Sequence, residues 1–158
     1  MKPRPATLML LLAAVVAAAL LVPPAAVAAT RQEYIAQADP ICQATEAAER
    51  HAIGPVGAIQ RLIKRGRLKA AGKRLRNEFG AFSPGVEQLA TIQPPDADAQ
   101  LIGAWVEKLR AQVPLGYRAA RALIHRRIPN KLFGRLGSLN RQTQALVADY
   151  GFQSCDSL

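Results

Sequence analysis

From Thr30 onward, apolar residues recur every three or four positions, and no segment alternates with a period of two. The pattern predicts helices throughout, with β-branched residues too sparse for strands. Thr30-Arg31-Gln32-Glu33 reads as a capping box, opening a first helix with Tyr34, Ala38, Ile41, Thr45, Ala48 and Ala52 on one side. Gly54-Pro55 breaks the pattern, and a short amphipathic piece follows, carrying Val56, Ile59, Leu62 and Ile63 and ending at Gly66. A second long helix, from about Arg67 to Ile92, presents Leu68, Ala71, Leu75, Phe79, Phe82, Val86, Leu89 and Ile92. Pro94-Pro95 ends it. The third starts at Asp96, with Asp98 in a position the helix dipole favours, and carries Ile102, Trp105, Val106, Leu109, Val113, Tyr117, Ala120 and Ile124. After Ile128-Pro129-Asn130, the last helix carries Leu132, Leu136, Leu139, Thr143, Leu146 and Tyr150, and Gly151 terminates it. Gly134 and Gly137 weaken its first turns, so a start near Ser138 is the alternative.

Three prolines interrupt these stripes. Pro40 predicts a kink or break after Asp39, Ser83-Pro84 a local cap and restart, and Pro114 a kink. Short connections favour antiparallel neighbours, so the expected fold is an all-α, up-down-up-down four-helix bundle with proline kinks. That topology puts the start of the first helix and the end of the last at one end. A tail after Gly151 then brings Cys155 to Cys42, the only other cysteine, for a disulfide that closes the bundle.

The residues before Thr30 change the picture. Lys2 and Arg4 precede an apolar run, Leu8–Val22, and then PPAAVAAT, the layout of a secretory signal peptide. Residues 1–29 are therefore expected to be removed, with cleavage after Ala28 or Ala29, leaving 30–158 as one exported helical domain without a membrane span. Export also favours the disulfide.

Ala38-Asp39-Pro40-Ile41-Cys42, the break at Gly66 before Arg-Leu-Lys-Ala-Ala, and Asn140…Tyr150-Gly151-Phe152…Cys155 together resemble small exported helical proteins of actinobacterial type. The resemblance covers most of the mature chain, implies the helical fold, and brings no activity with it.

Catalytic signatures do not appear. His51 and His125 have no partner at metal-ligand spacing, and there is no Glu-x-x-His pair, nucleophile elbow, phosphate loop or dinucleotide fingerprint. A non-enzymatic module without cofactor or metal is expected. Trp105 reads as core, and Asn140, beside the last stripe, as a residue that satisfies backbone or sets register.

Charge supplies the remaining functional signal. The formal net charge is +10. No acid lies between Glu49 and Glu78, or between Glu107 and Asp149. Drawn on a helix continuing through Gly66, Arg65, Lys69, Lys73 and Arg76 share one exposed sector. They are the candidate contact to an anionic envelope partner, either lipid headgroups or a cell-wall polymer. The basic segments lack interleaved aromatics, so nucleic acid is not expected. The competing reading is a structural or protein-interaction module that uses an apolar groove between helices.

Overall fold

The computed structural model describes residues 30–158; the signal-peptide and cleavage expectations fall outside them. Among the described residues there are five α-helices and no strand: α1 (Arg31–Ile53), α2 (Ala58–Lys64), α3 (Leu68–Leu89), α4 (Ala99–Ile124) and α5 (Asn130–Val147). Single 3₁₀ turns occupy Asp96–Asp98 and Cys155–Ser157. The four long helices form the antiparallel bundle, and the Cys42–Cys155 disulfide closes it.

The capping box forms as its residue types require. The Glu33 amide donates to Thr30 Oγ1 at 3.2 Å, and the Thr30 amide donates to Glu33 Oε2 at 2.7 Å. The prolines, in contrast, do not end their helices. Pro40, Pro84 and Pro114 lie inside α1, α3 and α4, and no restart occurs at Asp39 or Ser83. All three prolines are exposed, so the ring crowds a solvent-facing turn while packing on the other side holds the helix. Likewise α5 begins at Asn130 rather than near Ser138.

Freed from capping, Asp39 has another task. Its carboxylate accepts the backbone N–H groups of Gln153 (3.0 Å), Ser154 (3.0 Å) and Cys155 (3.4 Å), stitching the tail to α1 beside the disulfide. Phe152 of this tail stacks on Trp105 (5.4 Å between centroids) and meets Tyr34 and Tyr150. Asp98 does not cap α4 with its side chain; its carboxylate accepts from Arg31 Nε and Nη2 (2.9 and 2.7 Å) and from the Tyr150 hydroxyl (3.0 Å). The Arg31 bonds hold the Asp98 carboxyl below its usual range.

The long helices pack in chain order: α1 on α3, α3 on α4, α4 on α5, with the short α2 against α3. Because α4 is covered on two sides, it buries Gln112, Gly116, Ala119 and Leu123 besides its expected stripe, while Tyr117 is left at the rim. The α3–α4 crossing is close. A Cβ on Gly72 would stand 2.6 Å from the Ala120 carbonyl oxygen and 2.8 Å from the Ile124 amide nitrogen. Backbone cannot rotate away as a side chain can, so Gly72→Ala should destabilise by about 1–3 kcal/mol despite alanine's better helix propensity. Gly103→Ala, where the added methyl meets open space, should gain up to about 1 kcal/mol. Urea titration of both variants checks this; equal shifts would mean that the helices are not in backbone contact there.

Candidate functional site

The seam between α1 and α5 is the one the bundle leaves open. These helices make little direct contact, and the tail bridges them at the disulfide end only. Accordingly α5 fully buries just Thr143 and Val147, although its apolar stripe is as regular as the others. Leu136 of that stripe and its off-stripe neighbours face a cavity of about 800 Å³. Phe133, Leu136, Gly137 and Asn140 of α5 line one side, and Leu75, Glu78, Phe79 and Phe82 of α3 line another. Glu49 and Ile53 reach in from α1, Ile59 and Ile63 from α2, Gln112 from α4, and Leu158 from the tail. Asn140, which the sequence casts as a backbone-satisfying residue, thus lies on the cavity wall.

Two carboxyl groups stand among these apolar side chains. Burial pushes Glu78 up to about 7, and its Oε2 is shielded from solvent with no protein donor. Burial pushes Glu49 up to about 7 as well, helped by the neighbouring charges of Glu78 and Glu46. Near neutrality each carboxyl is therefore about half protonated, and below about pH 6 mostly so. Sequence reasoning misses them because isolated glutamates on helices read as surface charges; only the fold sets them, half-buried, in the cavity wall.

The mouth of the cavity lies where the α1–α2 and α4–α5 connections meet solvent. Val56 and Ile128, both on its lining, are 90% and 51% exposed, unusual for large aliphatic side chains. Around them the antiparallel topology gathers the two acid-free segments at one end of the bundle. The α2–α3 turn and the end of α4 share a shallow depression formed by Gly66, Arg67, Lys69, Lys73 and Arg126. A second depression, lined by Arg118, Arg121, Arg127 and Lys131, shares Ile128 and Asn130 with the cavity mouth.

One expectation needs correcting. The helix does not run through Gly66, whose φ of +69° turns the chain, so Arg65 caps α2 and does not extend the row of Lys69, Lys73 and Arg76 on α3. All four side chains are nonetheless exposed. Two similar turns lie side by side here. The Arg67 amide donates to the Leu62 carbonyl around Gly66, and the Arg127 amide donates to the Ala122 carbonyl around Arg126. Arg126, with φ of +59°, takes the left-handed conformation that glycine takes in the first turn.

Among the described residues no group of three or more His, Cys, Asp or Glu side chains is placed to hold a metal ion. His51 and His125 are both exposed. No described helix is long and apolar enough to cross a membrane. The arrangement offers cations at a surface and a concave apolar volume beneath it, the elements of a binding site. Comparisons with protein families, with characterised proteins and with solved structures find no match to this chain.

Proposed function

We propose that this protein is an exported, non-enzymatic module that attaches by its basic end to an anionic lipid surface of the cell envelope. The observation that carries the reading is the convergence of both acid-free segments on the end that also exposes Val56 and Ile128. Cations attract a charged surface from a distance, and aliphatic tips favour a lipid interface over a soluble polymer, which offers them nothing to enter. Each lysine or arginine near an acidic membrane contributes about 1 kcal/mol, so a handful suffices for reversible attachment. The disulfide is in keeping with an oxidising location. Arg126 supports the same reading, because a non-glycine residue there costs about 1 kcal/mol of folding stability.

Co-sedimentation with phosphatidylglycerol vesicles, from about 0.01 M to about 1 M salt, tests the proposal. Binding is expected at low salt and release at high salt. Changing Lys69, Lys73 and Arg76 to glutamate should abolish binding and leave the fold intact, since all three are exposed. Arg126→Gly should raise stability by about 1 kcal/mol and weaken vesicle affinity about fivefold, opposite signs that a purely structural role would not give. Equal retention of the parent and the triple variant would reject the reading. Attachment indifferent to salt would favour an interaction module working through the groove.

A further inference from the structure

We propose that the cavity between α1, α2, α3 and α5 is a binding site for a single-chain anionic amphiphile, with the alkyl chain inside and the headgroup against Arg118, Arg121, Arg127 and Lys131. This stands apart from the attachment reading, because such a ligand can load from solution with no membrane present.

Continuity of the two spaces is the first argument. Ile128 and Asn130 line both the apolar cavity and the cationic depression, so a ligand anchored in one lies at the entrance of the other. The size is the second: about 800 Å³ falls in the range that encloses one small ligand. Complementarity is the third. The inner wall is mostly aliphatic and aromatic, with Glu49 and Glu78 set in it, whereas all four side chains of the outer depression are exposed cations with no acid among the residues lining it. An amphiphile with the opposite distribution, a cationic head on an apolar chain, would meet like charge at the mouth.

The carboxyl groups in the wall add a condition. Glu49 faces Glu46 and Arg50 on its own helix and Glu78 across the cavity; Lys64 lies on the α2 side, while α4 and α5 present only the neutral Gln112 and Asn140. Protonated, the two glutamates leave the wall uncharged and open to an alkyl chain. Ionised, they hold water in the cavity and exclude the chain.

Isothermal titration of the mature protein with dodecanesulfonate, kept below its micelle concentration, provides the test, since the sulfonate stays anionic at all working pH values. Saturable one-to-one binding is expected, at least tenfold tighter at about pH 5.5 than at about pH 8.5. The Gly137→Leu variant fills the cavity from α5, where an added Cβ meets nothing nearer than 3.6 Å, and should reduce affinity at least tenfold. The same variant should keep its melting temperature and its salt-dependent vesicle binding, which separates failure of this site from failure of the attachment reading. Arg118→Glu with Arg121→Glu should weaken the sulfonate and strengthen dodecylammonium. Equal binding by the parent and Gly137→Leu would place the ligand elsewhere and overturn the proposal. So would tighter binding of dodecylammonium than of dodecanesulfonate by the parent.

Discussion

Replacing Cys42 or Cys155 by serine is expected to lower the melting temperature by about 10–20 °C, the largest loss that any single substitution named here should cause. The two cysteines are separated by 113 positions. In the chain-entropy account, cross-linking so long a loop removes about 4–5 kcal/mol of unfolded-state freedom. A second effect adds to this one. The tail bridges α1 to α5 at the disulfide end, and those helices have little other contact. Without the bond, the tail is held by the Asp39 carboxylate and by the aromatic packing of Phe152. Trp105 is the only tryptophan and stacks on Phe152, so its fluorescence reports release of the tail. Thermal melts of the serine variants, followed by circular dichroism and by tryptophan emission, measure both effects. An unchanged melting temperature would show that the unfolded chain is already compact enough for the cross-link to matter little.

Stability should also fall as pH rises from about 4.5 to about 7, by as much as about 3 kcal/mol for each of Glu49 and Glu78. Both carboxyls titrate near pH 7 in the fold against 4.5 when free, so the folded state binds more protons over that interval. Below about pH 4.5 they are protonated in both states and impose no penalty. Between there and pH 7 the unfolded chain ionises first and the fold loses ground; above pH 7 the loss is complete. The pair contributes less than twice the single figure, because part of Glu49's shift comes from Glu78's charge. Asp98, Glu33 and Glu87 are shifted downward and act in the opposite sense, losing their contribution only in stronger acid. A stability maximum on the acid side of neutrality follows. Glu78→Gln should flatten the fall between about pH 5 and pH 7 and raise the midpoint of urea unfolding at about pH 8.5 while changing little at about pH 5. If the parent and the Gln variant lose stability in parallel, the carboxyl is not confined in an apolar cavity.

The helical layout is legible in the order of residues alone. The three- and four-residue spacing, the capping box at Thr30 and the breaks at Gly54, Gly66 and Pro94 each act within a few residues of themselves. Local physics therefore places five helical segments, and the short connections with two cysteines near the ends of the helical domain supply topology and cross-link. The restarts read at Asp39-Pro40 and Ser83-Pro84 do not form, and the reason is equally local. A ring that breaks an isolated helix is tolerated when it faces solvent and the opposite face is packed, which local sequence does not encode.

The candidate sites depend on distance in space. Gly66 reads as a helix end, yet an exposed sector that includes Arg65 requires the helix to continue through it, and its positive φ redirects that side chain. The acid-free segments are visible as composition, but their meeting at one end is a consequence of antiparallel packing. The cavity has no signal in the sequence at all. The stripe on α5 has the period of a buried face, and only the tertiary structure decides that α1 does not cover it. Periodicity records which side of a helix avoids water; it does not record whether a neighbouring helix, or an empty volume, lies on that side. By itself, then, the sequence determined the elements, their order and the bond that joins the ends. The fold decided which apolar faces stay open and which glutamates line the cavity, because burial is set by how distant segments pack.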